Sequence, residues 1–159
     1  MFGIRGLDAL GAVHLGCALA AMVLGFVVVV TSKGTAAHRR LGMVYAVTMV
    51  IMNATALTIY DLFDRWGPFH TLALVSLATV AAGVVPVWIQ RPRHRWLQMH
   101  ARFMSWSYAG LVGAAVSEVG GRLGGIGPMV LTAASIAVMV LAAIIINSRV
   151  PRIVAALAR

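Results

Sequence analysis

The chain has 159 residues, of which 61% are hydrophobic and 11% charged, and its formal net charge is +9. Soluble domains are about 45–50% apolar and roughly a quarter charged, so the composition excludes a disordered chain, a disulfide scaffold and an ordinary soluble domain. The single cysteine, Cys17, has no partner for an internal disulfide and cannot build a metal site alone. The sequence therefore predicts one integral membrane domain over residues 1–159.

Five apolar stretches reach the roughly 20 residues that a helix needs to cross a bilayer. In chain order they cover residues 9–32, 41–60, 68–90, 98–117 and 128–147. Short connections predict that consecutive helices are antiparallel neighbours. We expect an all-α membrane fold in which the first four helices form an up-down four-helix bundle, followed by a fifth helix.

Basic residues fall unequally on the two sides of the predicted membrane. The side reached after the first span has ten of them: Lys33, Arg39, Arg40, Arg91, Arg93, Arg95, Arg102, Arg149, Arg152 and Arg159. The other side has Arg5, Arg65 and Arg122 together with the four acids, Asp8, Asp61, Asp64 and Glu118. The positive-inside rule places the N-terminus outside and the C-terminus in the cytoplasm. Topology and anionic lipid account for the net charge, which leaves no basic face for nucleic acid.

Four histidines are distributed one per helix over the first four predicted helices. Ionisable side chains inside spans are functional candidates. The direction of each helix places His14 and His70 near the outer surface and His38 and His100 near the inner surface. A fifth, His94, lies in an arginine-rich loop and is interpreted as solvated.

Alternate helices of an up-down bundle are diagonal, so each histidine pair is expected to face across the interior. Two imidazoles at one level suit the two axial positions of haem b iron, whereas zinc takes four protein ligands, or three and a water. The sequence thus predicts two bis-histidine haem b groups, one near each face. The plainer interpretation of any one histidine is that it caps a helix or reaches lipid headgroups; their matched placement on four helices favours ligands.

The inner histidine level has basic side chains and no acid, which suits haem propionates better than a metal cation. The candidate propionate partners are Lys33, Arg39, Arg40 and Arg102. Gly42 and Tyr45 follow His38 on one face of the second helix and are candidate cofactor contacts. On the first helix, small residues share the face of the histidine, which allows close helix packing or room for a flat ring: Gly11, His14, Ala18, Ala21 and Gly25.

The histidine arrangement resembles the two-haem transmembrane cytochromes b of the ascorbate-reducible type. The resemblance covers about residues 9–118 and rests on His14, His70, His38 and His100. It implies a four-helix core with one haem on each side of the membrane. This chain has one helix beyond that core, where the cytochromes have two.

A second resemblance is closer in sequence, to a bacterial family of small predicted membrane proteins of unknown function. Its signature is a lysine-glycine loop that runs into a histidine-arginine helix start. The matching residues are Lys33-Gly34-Thr35, His38-Arg39, Gly42, Tyr45, His70, His100, Arg102 and Met104. This resemblance implies a bacterial inner-membrane location and assigns no activity.

Three functions are compatible with these residues. The leading hypothesis is transmembrane electron transfer through the two haems, with a quinone or a redox protein as electron donor or acceptor. A metal-ion or proton-handling protein that uses the same histidines is the first alternative. The second is a non-catalytic accessory subunit of a larger membrane complex. Contact with membrane lipid is common to all three, and homo-oligomer formation stays open.

Overall fold

The structure is a computed structural model that describes residues 9–60, 65–92 and 95–157, with all of their side chains except those of residues 122 and 123. Its helices are α1 (Ala9–Val30), α2 (Ala36–Ala56), α3 (Pro68–Ile89), α4 (Trp96–Leu123) and α5 (Pro128–Leu157). The predicted all-α class and the order of five helices are confirmed for these residues. Several residues used in the prediction lie outside the description: Arg5, Asp8, Asp61, Asp64, Arg93, His94 and Arg159, with the side chain of Arg122.

Among the described residues, three helices are long and apolar enough to cross a membrane, namely α1, α3 and α5. The other two are more polar. Arg39 and Arg40 lie in the first turns of α2, which also contains Asn53, and α4 contains Arg102 and Glu118. Membrane crossing by α2 and α4 stays a prediction, as do the four-helix bundle and its orientation.

Three helix starts, those of α2, α3 and α5, coincide with residues that favour helix initiation. Thr35 is the N-cap of α2, and its hydroxyl accepts a hydrogen bond from the backbone N–H of His38 at 3.1 Å. The cap explains why α2 begins before the apolar stretch predicted from residue 41. Pro68 and Pro128 open α3 and α5 as their sequence positions predict, because a missing N–H costs nothing in a first helical turn.

Helix ends extend past the predicted spans. α4 continues beyond residue 117 to Leu123 and stops at Gly124, whose φ of 70° lies in the left-handed region that favours glycine. α5 continues beyond residue 147 and through Pro151. Its buried Ile146 and Val150 lie one turn apart and continue the packed face there. Apolar length predicts the membrane-embedded part of a helix, and the helix itself can be longer.

The chain divides into two compact units, residues 1–78 and 79–159, with the boundary inside α3. In unit 1, α1 packs against α2; in unit 2, α4 packs against α5. Buried apolar residues of unit 1 include Ala21, Tyr45, Ala46, Met49 and Met52, and those of unit 2 include Val80, Ala109, Leu111, Ile146 and Val150. Ala21 and Gly25 of the small-residue face of α1 are both buried, so this face serves helix packing.

Polar side chains connect neighbouring helices within each unit. Nδ2 of Asn53, a residue only 3% exposed, donates to the Met49 carbonyl at 2.7 Å and to Oγ of Ser76 in α3 at 3.0 Å. Oγ of Ser135 in α5 donates to the Gly113 carbonyl at 2.9 Å and lies 2.7 Å from Oγ of Ser117. Such contacts stabilise helix pairs in lipid, where apolar burial drives association little.

Candidate functional site

His14 lies in the second turn of α1, half-buried, at the depth its sequence position predicts. Its Nδ1 is 3.0 Å from the Met52 carbonyl and 3.1 Å from Oγ1 of Thr55, both in α2. A carbonyl only accepts, so Nδ1 carries the proton and donates. In the neutral ring Nε2 then holds the lone pair. Metal-bound histidines characteristically use this arrangement, in which the second ring nitrogen donates to a carbonyl and fixes the tautomer.

His100 repeats this arrangement in unit 2. Its Nδ1 lies 2.9 Å from the carbonyl oxygen of Gly83 in α3, so Nδ1 again donates and Nε2 of the neutral ring holds the lone pair. Because α4 begins at Trp96 and not near residue 98, His100 lies just past the first turn of its helix.

The Gly83 carbonyl is accessible because α3 and α4 approach closely there. A Cβ on Gly83 would lie 2.6 Å from Sδ of Met104 and 3.2 Å from its backbone nitrogen, so any other residue would require the Met104 side chain to move and α4 to shift slightly. Pro86 follows three residues later. The missing N–H of Pro86 leaves the carbonyl four residues earlier, that of Ala82, without its helical donor, and neighbouring side chains commonly bond carbonyls near such turns in membrane helices.

His70 lies in the first turn of α3, as predicted, and is 3% exposed. Its Nδ1 accepts a hydrogen bond from the backbone N–H of Gly67 at 3.1 Å. Nδ1 is therefore unprotonated, and in the neutral ring Nε2 carries the proton. That buried Nε2 has no hydrogen-bond partner among the described residues. The ring centroids of Tyr60 and Trp66 lie 4.5 Å and 5.0 Å from that of His70.

His38 is half-buried in the first turn of α2, where its sequence position predicts it. It begins the face of α2 that continues through Gly42 and Tyr45. A Cβ on Gly42 would meet nothing within 4 Å, so this position borders space that the protein does not fill. Tyr45, by contrast, is 2% exposed and belongs to the core of unit 1.

Lys33 caps the end of α1. Its Nζ donates to the carbonyls of Val28, Val29 and Thr31 at 2.8, 2.7 and 3.0 Å. A cation at a helix C-terminus is favoured by the helix dipole. Partial burial lowers the pKa of Lys33 from its ordinary value. The ammonium group therefore already has three acceptors within the protein.

The other three basic candidates are exposed: Arg39, Arg40 and Arg102. Nη1 of Arg39 donates to the Gly34 carbonyl at 3.4 Å. An exposed guanidinium at the start of a helix is available to a propionate or to a lipid phosphate.

The predicted histidine pairs are placed as follows. His14 and His70 share unit 1 but have separate hydrogen-bond partners, on α2 and at Gly67 respectively. His38 belongs to unit 1 and His100 to unit 2, and their pairing stays a prediction. Within the described ranges, no group of three or more His, Cys, Asp or Glu side chains forms a metal site.

A shallow apolar groove of about 650 Å³ lies in unit 2, beside the end of α3. Pro86, Ile89, Arg91 and Met99 contribute to its lining, and none of the predicted site residues does. The groove is therefore separate from the histidines considered above.

The model of the family described as "Predicted membrane protein (DUF2306)" matches residues 11–155. The chain belongs to this family. No curated protein and no solved structure matches the chain. Membership confirms the resemblance to small membrane proteins of unknown function. The resemblance to the two-haem cytochromes b receives no support from these comparisons.

Sequence reasoning missed three contributors to the histidine surroundings, Gly83, Tyr60 and Trp66, and one interhelical contact, that of Asn53. Gly83 and Tyr60 gave no signal of their own, because each acts through a partner on another element. Asn53, an amide inside an apolar helix, could have been found, since polar residues within spans are candidates for interhelical contacts. Trp66 lies just before the third predicted span, and its packing on His70 was not predicted.

Proposed function

We propose that this chain is a multi-pass protein of the bacterial inner membrane that carries electrons across the bilayer by means of haem b. His14 would hold iron near the outer face, and His100, with His38 as its predicted partner, would hold iron near the inner face. Membership of a membrane-protein family and three apolar helices support the membrane location. The orientation follows the basic-residue bias of the sequence.

One observation carries the proposal: Nδ1 of both His14 and His100 donates to a backbone carbonyl of a neighbouring helix. Each ring is thereby oriented and keeps the Nε2 lone pair that iron requires. Haem, when bound, supplies a one-electron couple, while the protein sets its position, hydrogen bonding and dielectric. At the inner level, the two axial imidazoles predicted from His38 and His100 would leave no position for oxygen and favour electron transfer.

Basic residues near the inner level would bind the propionates. Arg39 and Arg40 are the better candidates, because they are exposed while Lys33 is engaged with α1. Arg102, also exposed, is the candidate on α4. Gly42 borders unfilled space, which is compatible with a flat ring at the side of α2.

His70 does not fit the role of iron ligand in the arrangement found, because its Nε2 carries the proton and its Nδ1 is used by Gly67. Binding iron through Nε2 would require the other tautomer and loss of the Gly67 contact. The proposal therefore assigns the anchoring role to His14 and His100.

The main competing interpretation is structural, since the same hydrogen bonds tie α1 to α2 and α3 to α4. It would make the chain an accessory membrane subunit. Asparagine distinguishes the two interpretations, because its side-chain amide can donate from near the position of Nδ1 but provides no counterpart to Nε2. His14→Asn and His100→Asn should keep the helix contacts and lose the iron ligand.

The test is a reduced-minus-oxidised absorbance spectrum of the purified protein, with haem content measured per chain. We expect a haem b spectrum in the wild type and a loss of haem in each asparagine variant. Asn53→Ala is the matched control, because it removes an interhelical hydrogen bond without removing an imidazole. A colourless wild type that added haem does not restore, or full haem content in both asparagine variants, would refute the proposal.

A further inference from the structure

We propose that His70, with Tyr60 and Trp66, forms a binding site for a quinone head group at the start of α3. The choice of a quinone rests on the proposed electron-transfer function. The site itself rests on the hydrogen bonding and the ring contacts of His70.

Nε2 of His70 is a buried donor without a hydrogen-bond partner among the described residues. Because Gly67 donates to Nδ1, the ring proton is on Nε2, and no described residue provides an acceptor for it. Buried donors in folded proteins almost always have a partner, and an orphan calls for an explanation. An acceptor oxygen from a bound molecule would satisfy it. A metal ion would not, because the protonated nitrogen has no lone pair to offer.

Two aromatic rings, those of Tyr60 and Trp66, lie against the imidazole of His70. The planes of Tyr60 and Trp66 are inclined by 34° and 30° to the imidazole. Nε1 of Trp66 donates an exposed hydrogen bond to Oγ1 of Thr71 at 3.2 Å, which orients its ring. Aromatic faces stack favourably on other flat rings. A ligand that combines an acceptor oxygen with a planar apolar ring matches both features, and a quinone has carbonyl oxygens on such a ring.

Access to Nε2 requires a side-chain movement, because the atom is buried. Tyr60 is 43% exposed and Trp66 is 53% exposed. Their side chains can therefore rotate more easily than those of fully packed core residues. Both precede α3, whose start is predicted to lie near the outer membrane surface. A lipid-soluble quinone would reach the site from that level of the bilayer.

The test is a titration of the purified full-length protein in lipid-free detergent with a short-chain benzoquinone, followed by tryptophan fluorescence. The wild type should show saturable quenching, most of which disappears in Trp66→Phe. His70→Phe removes the donor and should weaken binding about tenfold, the effect of one hydrogen bond. His70→Gln provides a donor near the position of Nε2 and should bind within about threefold of the wild type.

Several outcomes would overturn the site: no saturable quenching in the wild type, or equal affinity in the wild type and in His70→Phe. The protein could instead bind an anionic phospholipid and not the quinone, with the same loss of affinity in His70→Phe. That result would assign the acceptor oxygen to lipid and refute the quinone as the ligand. Absorbance of the same preparations separates the two proposals. Haem without quinone binding refutes only this site, and quinone binding in a colourless protein supports the site while refuting haem-based transfer.

Discussion

Gly67 donates its backbone N–H to Nδ1 of His70 over 3.1 Å, so this ring nitrogen is an acceptor. At His14 and His100 the corresponding nitrogen is a donor, to carbonyls at 3.0 and 2.9 Å. His14 and His100 are thus held in one tautomer, with the proton on Nδ1, and His70 in the other, with the proton on Nε2. Their sequence positions look equivalent, but their chemistry is not: two can offer a lone pair through Nε2, and one offers a proton.

The tautomers can be measured directly. In ¹⁵N-histidine-labelled protein at neutral pH, we expect solid-state NMR to show protonated Nδ1 at His14 and His100 and protonated Nε2 at His70, because carbonyls accept and amides donate. Single variants, His14→Asn, His70→Gln and His100→Asn, assign the signals by their loss. A protonated Nδ1 at His70 would contradict the structure and restore this residue as an iron ligand.

Gly83→Ala should separate α3 from α4 locally. The added Cβ would meet Met104 side-chain and backbone atoms, and overpacking of this kind costs about 1–3 kcal/mol. We expect a lower midpoint of thermal unfolding in detergent and, on the proposed function, less haem at His100.

Gly110→Ala is the control for Gly83→Ala. Gly110 lies in α4, and a Cβ at this position would meet nothing within 4 Å. Alanine is also a better helix former than glycine. This variant should be as stable as the wild type or more so. Equal stability of the two alanine variants would show that the close approach at Gly83 contributes nothing.

The Asn53–Ser76 hydrogen bond should appear as a coupling energy. Across a double-mutant cycle of Asn53→Ala and Ser76→Ala, we expect about 0.6 kcal/mol and at most ~1.7 kcal/mol, the range found for interhelical bonds in a membrane protein. Unfolding in detergent supplies the free energies. Asn53→Ala combined with Ser148→Ala, whose hydroxyl donates within α5, should be additive. Additivity in the first cycle would mean that the bond does not form.

Lys33 should make stability depend on pH in the alkaline range. Burial in the folded protein lowers the pKa of Lys33 from its ordinary 10.5. Between the folded and the unfolded pKa, the unfolded chain therefore binds more protons than the folded one. The free energy of unfolding then rises with pH in this range, up to about pH 10.5. Lys33→Arg keeps a cation at the end of α1 but does not titrate, so it should lose this slope. Identical slopes in the two proteins would exclude Lys33 as the source.

Orientation is testable with reporters. Since basic residues favour the cytoplasm, a reporter fused after residue 159 should report the cytoplasm and one inserted at residue 65 should report the outside. A periplasmic C-terminus would reverse the assignment of the histidines to the two membrane faces. The control is a fusion at residue 91, which should agree with the C-terminal fusion.

The helices were predictable because apolar length and turn residues are local properties. Pro68 and Pro128 identify helix starts without reference to the rest of the chain. The true start of α2 was less visible, because Thr35 acts through one hydrogen bond to His38 and precedes the apolar stretch. The end of α5 was missed because the helix outlasts its apolar part and includes Pro151.

The candidate site was predictable only as a set of residue types. The sequence gives the positions of His14 and His70 along their helices, but it does not show which ring nitrogen donates a hydrogen bond and which accepts one. That choice depends on Met52, brought close by helix packing, and on Gly67 in the turn before α3. Lys33 shows the same limit: its charge predicts a propionate partner, whereas two carbonyls in the last turn of α1 and that of Thr31 just after it already accept from its ammonium group.

The contact between Gly83 and Met104 is expected to restrict how these two positions vary among relatives. A methyl group at position 83 would require the Met104 side chain to move and the facing helix to shift slightly. The unbranched Met104 side chain covers this glycine, so relatives that lose the glycine should also differ at the facing position. Exchanges at 83 and 104 are therefore expected to occur together in evolution, while Gly110, which borders open space, should vary freely.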